Sequence, residues 1–266
     1  MLRAVWRIVV LVILCGLALQ LYFVGRIALM RVVDPQSTAF QRTEATRILR
    51  EQGRLPWSQA WRDDNAIATS LKRAVIASED ANFVDHSGVE WDALEKAWRK
   101  NSKAQARAEA QRAAAQARYE RALERARQRG RTPPPPPNAL TSTPKVIGGS
   151  TITQQLAKNL FLSSERSFLR KGQEFVLTFM LEGLLSKERI LTVYLNNVEW
   201  GEGVFGAQAA ARHYFRVDAG QLAPLQAARL AVMLPAPKRF EKQPASGYLT
   251  GRAGTIAARM GAVELP

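Results

Sequence analysis

Helical periodicity runs through most of the 266 residues, and no convincing run alternates β-branched residues with the two-residue period of a strand. Ile67, Leu71, Ala74 and Val75 share one face of a helix predicted over 67–78. In the stretch 148–161, GGSTITQQLAKNLF, Ile152, Leu156 and Leu160 recur at four-residue spacing and form an inward stripe. Ser150 or Thr151 can cap that helix, and Gln154, three residues after Thr151, completes a capping box. A further helix, through about Leu185, carries Phe175, Leu177, Thr178, Leu181 and Leu184. The segment KERILTVYLNN, opening at Lys187, gathers Ile190, Leu191, Tyr194 and Leu195. Alanine-rich helices are predicted at 207–215 and 224–234, and a short closing helix at 248–263. The sum is an all-α domain.

The N-terminal run from Ile8 to Gly25 is apolar except for Gln20. As a helix it covers about 27 Å, near the thickness of a bilayer core. Arg3 and Arg7 precede it, Arg26 and Arg31 follow, and Trp6 and Tyr22 sit where interfacial aromatics belong. A cleaved signal peptide would want a shorter apolar core and small residues at a cleavage site, which Leu19–Phe23 does not supply. Bulky Leu14 before Cys15 does not suit a lipoprotein signal. The expected organisation is a cytoplasmic tail at 1–7, a transmembrane helix at 8–28, a connector at 29–64 and a catalytic-type domain at 65–266. Flanking charges barely orient the anchor, and the short tail favours an inside N-terminus with the domain outside.

Charge changes this picture in one region. The chain carries a formal net charge of +15, which points to an anionic partner such as nucleic acid, anionic lipid or a phosphorylated substrate. Between Arg99 and Arg131 eleven basic residues stand against three glutamates, so this segment holds about half the excess. Alanine-rich sequence there favours helix, yet no apolar stripe is evident, and Pro133–Pro137 ends it in a stiff segment. Residues 99–146 read as a solvent-exposed insertion. With Tyr119 its one aromatic residue, single-strand nucleic-acid binding is unattractive. One cysteine and two histidines exclude a disulfide framework and a Cys- or His-rich metal cluster.

Two carboxylates carry the candidate chemistry. Glu79 ends an apolar helix beside Asp80 and near His86. Partial desolvation and the negative end of the helix dipole should raise its pKa, which suits a general base. The alternative is a solvated helix-end pair without a special role. Glu174 follows Arg170 by four residues and Lys171 by three, so both cations share its helical face. This is either a surface ion pair or a carboxylate set among Lys158, Arg166, Arg170 and Lys171, a cluster fit to neutralise a diphosphate leaving group.

Four ordered motifs then give a resemblance. They are Glu79-Asp80-x-x-Phe83-x-x-His86-x-Gly88; Gly149-Ser150-Thr151-Ile152-Thr153-Gln154-Gln155-Leu156-Ala157-Lys158-Asn159; Arg170-Lys171-x-x-Glu174; and Lys187-x-x-Ile190-Leu191-x-x-Tyr194-Leu195-Asn196. Over about 65–245 the chain resembles the peptidoglycan glycosyltransferases, glycosyltransferase family 51. Within them it is most like the monofunctional biosynthetic transglycosylases, because nothing after Pro266 offers a transpeptidase domain. The resemblance implies a lysozyme-like α-helical domain on a single membrane anchor in the bacterial inner membrane. It implies lipid II and the growing glycan chain as substrates, and the bilayer, cell-wall synthesis proteins or division proteins as partners. No nucleic acid and no organic cofactor are expected.

By the same resemblance, Glu79 would deprotonate the acceptor's sugar 4-hydroxyl. Glu174 would assist departure of the diphosphate directly, or by holding a divalent cation, Mg or Mn. Lys158, Arg166, Arg170 and Lys171 would neutralise the diphosphate. Ser150, Thr151, Gln154, Gln155 and Asn159 would bind substrate, while Asp80, Phe83, His86, Gly88, Lys187, Tyr194 and Asn196 belong to the motif framework. The sequence departs from the family pattern in the length of 99–146, in Gln208 where relatives often carry an acid, and in Gln226 in place of a frequent glutamate. A hydrolase or lytic transglycosylase would also use a glutamate but would not need the cation cluster. An inactive scaffold would need neither carboxylate.

Overall fold

A computed structural model describes residues 2–132, 134–138, 149–162 and 167–266. The chain divides into two compact units, one of residues 1–89 with 150–266 and one of residues 90–149. The larger opens with α1, Leu2–Leu29. Within it Arg3–Leu29, of mean hydropathy 2.6, is long and apolar enough to cross a membrane. Its exposed side chains are those that lipid would cover, including Leu11, Val12, Leu14 and Leu17. The connector that follows is not an open linker. It holds α2, Ala39–Gln52, capped by Thr38 and Gln41 in a reciprocal box and stopped by Gly53 in the left-handed region.

The first short strand, β1 (Ser58–Gln59), precedes α3 (Thr69–Glu79). After the smaller unit's helix α4 (Trp91–Gln128) come α5 (Ile152–Phe161), α6 (Phe168–Leu184) and α7 (Lys187–Asn197). Strands β2 (Glu199–Gly201) and β3 (Val204–Phe205) lead into α8 (Ala207–Phe215) and α9 (Pro224–Met233), and α10 (Pro237–Glu241) and α11 (Gly247–Arg259) close the chain. The strands were not anticipated. They form a sheet in the order β1-β3-β2, with β1 parallel and β2 antiparallel to β3. At two or three residues each they are too short to show alternation, and Gly203 fixes the turn. A Cβ at Gly203 would sit 1.9 Å from the Pro56 carbonyl oxygen.

The core lies where helical stripes converge. Ile67, Leu71, Ala74 and Val75 are all buried, as are Ile152, Leu156 and Leu160. In α7 every residue from Ile190 to Asn197 is buried, so this helix runs through the middle rather than along the surface. Trp57 stacks on Phe205 at 4.5 Å, and Arg189 lies over Trp61 at 5.5 Å, so both tryptophans fasten the connector. Asn196 exchanges two hydrogen bonds with the Arg62 backbone, of 2.7 and 2.8 Å, and so anchors the same segment. Gln208 and Gln226 have structural roles. Gln208 joins Asp218 to the Ala219 amide, and Gln226 accepts from the Ala223 amide at the start of α9.

In the smaller unit, α4 is one continuous helix of 38 residues. The expectation that it lacks a face to cover is corrected. Positions 97, 101, 104, 108, 112, 115, 119, 122 and 126 are buried or half-buried, a 3.6-residue stripe built mostly from alanine. Pro134, Pro135 and Pro137 line a cavity with Ala115, Tyr119 and Ala122 of that stripe. Alanine is too small to register as an apolar stripe in sequence, yet it lets another segment approach closely. Of the insertion read over 99–146, residue 133 and residues from 139 onward lie outside the described residues.

Away from α3 and α5, an ionic cluster joins α2, the β2–β3 turn and α10. The Glu44, Glu199 and Glu202 carboxylates lie within 4.8 Å of one another, as metal ligands would. Lys238 already fills the centre, bonded to Glu44 and 3.3 and 3.5 Å from Glu199 and Glu202. Burial pushes Glu199 up to about 7 from the usual 4.5, against the pull of Lys238. A carboxyl raised in the folded state stabilises the fold below its unfolded pKa and loses that contribution as pH climbs through its folded pKa. Between pH 5 and pH 8 the wild type should therefore lose about 2–3 kcal/mol more unfolding free energy than Glu199→Gln. Urea titrations of both proteins at the two pH values check this, and equal losses would contradict it.

Candidate active site

The end of α3 is tied to the start of α5 by one buried carboxylate. Asp80 Oδ2 accepts from the Ile152 amide at 3.0 Å, at the positive end of α5, while Oδ1 accepts from His86 Nε2 at 2.8 Å. The Gly88 amide donates to His86 Nδ1 at 3.1 Å, so Nδ1 carries no proton and Nε2 is the donor toward Asp80. Gly88 is required here. Its φ is +87°, and a Cβ would approach Thr178 Cγ2 to 2.7 Å. Thr151 caps α5 and donates its hydroxyl to the Gly88 carbonyl at 2.6 Å.

Lys187 closes the loop from the other side. Its Nζ donates to the His86 carbonyl at 2.6 Å and to Glu182 Oε1 at 2.9 Å, and lies 4.5 Å from the centre of the buried Phe83 ring. Glu182 Oε1 also accepts from Thr153 Oγ1 at 2.5 Å. Sequence reading passed over Glu182, although Glu174, Thr178 and Glu182 recur at four-residue spacing along one face of α6.

This frame presents Glu79, which is half-buried at the last position of α3. Gln155 Nε2 donates to Glu79 Oε2 at 3.0 Å, and Gln155 Oε1 accepts from the Tyr194 hydroxyl at 3.0 Å. The buried tyrosine sets the orientation of the amide, because a hydroxyl donor on Oε1 leaves Nε2 for the carboxylate. Desolvation raises the Glu79 pKa above the usual glutamate value, aided by the charge of Asp80, and the Gln155 hydrogen bond opposes the rise. Desolvation likewise drives the Tyr194 hydroxyl well above its ordinary value, so it stays a neutral donor.

Three residues further along α5 than Gln155 stands Lys158, with an exposed side chain. Although the side chain as a whole is exposed, its ammonium end lies near enough to protein for desolvation to lower the pKa. Arg170 and Lys171 add to the fall, and Glu174 opposes it. Glu174 is buried, paired with Lys171 and 3.7 Å from Arg170 Nη1. Arg170 Nε is buried without a hydrogen-bond partner among the described residues. Cations thus outnumber the one carboxylate, and an anion is the ligand they can hold. Among the described residues no set of three metal-ligating side chains gathers at Glu174, and Lys171 and Arg170 face its oxygens.

The anticipated substrate-binding set therefore separates. Lys158, Arg170 and Lys171 gather around Glu174, and Ser150 is exposed beside the α5 cap. Asn159 is half-buried. Thr151 and Gln154 are buried within the capping box, where the Thr151 hydroxyl and the Gln154 carbonyl oxygen serve the backbone, while Gln154 Nε2 is buried without a hydrogen-bond partner among the described residues. Gln155 donates to Glu79 and accepts from Tyr194, so it orients the carboxylate. Arg166 lies outside the described residues.

A family model described as Transglycosylase matches residues 47–113 and 137–261. The chain belongs to the transglycosylase family. The biosynthetic peptidoglycan transglycosylase of Burkholderia thailandensis is 49% identical over 250 residues, 94% of this chain and 83% of that protein. The protein of that name from Paraburkholderia phytofirmans is 45% identical over 255 residues, 96% and 90% of the two chains. The one from Bordetella pertussis is 43% identical over 264 residues, 99% and 95%. An all-α architecture with an N-terminal apolar helix thus stands in a transglycosylase.

Tyr194→Phe keeps the buried ring and removes the hydroxyl that orients Gln155. Transglycosylase turnover should fall about tenfold with KM little changed. The acid limb of the pH–rate profile should move upward, because the opposing Gln155 hydrogen bond weakens. An unchanged profile would show that Tyr194 only packs.

Proposed function

We propose that this transglycosylase is a biosynthetic peptidoglycan enzyme that polymerises lipid II, with release of undecaprenyl diphosphate. The observation that carries the reading is the pairing made by α5. At Gln155 it touches a desolvated carboxylate of raised pKa, and at Lys158 it joins a cation cluster with an unpartnered guanidinium nitrogen. A base and an anion clamp on one helix suit a transfer in which a hydroxyl is deprotonated as a diphosphate departs.

In this mechanism Glu79 takes the proton of the lipid II sugar 4-hydroxyl. The oxygen attacks the anomeric carbon of the growing chain from the side opposite the diphosphate, and the configuration inverts. Electrons of the breaking bond pass to the diphosphate oxygen, whose charge Lys158, Arg170 and Lys171 neutralise. Glu174 acts through these cations, since its buried carboxylate holds Lys171 and Arg170 in place. α1 anchors the enzyme in the inner membrane with the catalytic unit on the outer face, where its lipid-linked substrate is available. A hydrolase fits less well, since water as acceptor and a sugar hydroxyl as leaving group need no clamp of three cations.

Full-length protein incubated with a labelled lipid II analogue should form polymer, and Glu79→Gln should lower the rate about 10²–10⁴-fold. Arg170→Ala should lower it about tenfold or more. Fragmentation of preformed glycan without polymer growth would favour a hydrolase, and turnover of neither would favour a scaffold.

A further inference from the structure

The smaller unit presents a charge pattern that transfer chemistry does not use. At about 100° per residue, Lys100, Lys103, Arg107, Arg118, Arg121 and Arg125 fall within an arc of about 60° on α4. All six are exposed, and they run over about 38 Å of helix. Ala104, Ala108, Ala115 and Ala122 lie on an adjoining, less exposed arc; Pro134, Pro135 and Pro137 share a cavity with Ala115 and Ala122 and with Arg118 at the edge of the stripe. The glutamates fall on a third arc, where Glu109, Glu120 and Glu124 accept from Gln105, Gln116 and Gln128. Carboxylates are therefore turned toward amides instead of the stripe. Among the described residues none of the six cations makes an ion pair, whereas neighbouring Arg99 is paired with Glu95 at 2.5 Å.

Like charges three and four residues apart on a helix repel one another, so the stripe is arranged against the stability of the isolated helix. Such a face gains most beside a dense, extended array of negative charge. The stripe contains no aromatic or large apolar side chain, which excludes base stacking and insertion between acyl chains. Contact at the level of phosphate headgroups remains. The chain carries its own membrane-length helix, Arg3–Leu29, which keeps a bilayer surface at high local concentration.

We propose that the Lys100–Arg125 face of α4 docks electrostatically on the anionic phospholipid surface of the membrane in which α1 is anchored. Each cation adds a modest attraction that fades beyond a Debye length, so the contact is collective and salt-sensitive. The inference rests on α1 as an anchor and is independent of which glycosyl acceptor the enzyme uses.

The test uses full-length protein with Cys15→Ser and Ala110→Cys, labelled at residue 110 with a fluorophore. Ala110 is exposed beside the stripe. The protein is reconstituted into liposomes that carry a headgroup quencher, of phosphatidylcholine alone or with 30% phosphatidylglycerol. Quenching should be at least twofold greater with phosphatidylglycerol, and should fall to the phosphatidylcholine value in 0.5 M salt. Changing the six cations to Gln should abolish the difference. These sites are exposed and outside the active site, so lipid II polymerisation in detergent and the far-UV circular dichroism should be unchanged. Equal quenching in the two lipids, or a phosphatidylglycerol effect that survives the six substitutions, would overturn the proposal. So would a salt-sensitive response to added oligonucleotide in phosphatidylcholine that exceeds the response to phosphatidylglycerol, which would assign the face to nucleic acid.

Discussion

The hydrogen bonds of Asp80 are the constraint on which the active site depends. One buried carboxylate joins the last turn of α3 to the first amide of α5 and to His86 in the intervening loop. Glu79 is the adjacent residue, so the bond that fixes α5 also fixes the distance between Glu79 and Gln155. A charge at a helix N-terminus is well solvated by backbone amides. Asp80 can therefore remain buried while Glu79, beside it, stays half-buried and faces inward to Gln155. The two adjacent carboxylates differ in environment and hence in role.

α5 then divides the chemistry. Its capping box uses the Thr151 hydroxyl and the Gln154 carbonyl oxygen, its next turn supplies Gln155 to Glu79, and Lys158 faces the ionic group on α6. Glu174 is buried among cations that it orders, and its neighbours leave donors for an anion. The loop that supports this arrangement is itself held by Lys187, Glu182 and the Gly88 backbone. Change at any of these positions should be felt at Glu79, because the connections are short and mostly buried.

Much of this was legible in sequence because it rests on local spacing. Thr151 and Gln154 announced the cap of α5, Arg170 and Lys171 announced the pairing of Glu174, and Leu71, Val75, Ile152 and Leu156 announced the inward faces. What sequence concealed was contact between distant segments. The link from Gln155 to Glu79 and Tyr194 was hidden because those partners lie 76 and 39 residues away. Glu182 was passed over because its value comes from Thr153 and Lys187, on two other helices. The strands were too short for a period to appear, and the alanine stripe of α4 was too small in side-chain volume to stand out from an alanine-rich background.

On the proposed mechanism Glu79 is a desolvated carboxylate held ready as a base. A site-resolved carboxyl NMR titration of ¹³C-labelled protein, with Glu79 assigned by comparison with Glu79→Gln, measures it directly. Glu79 should titrate above the ordinary glutamate value of 4.5, with desolvation as the main cause, and should rise further in Gln155→Ala. A Glu79 that titrates at or below 4.5, or that ignores the loss of Gln155, would contradict it.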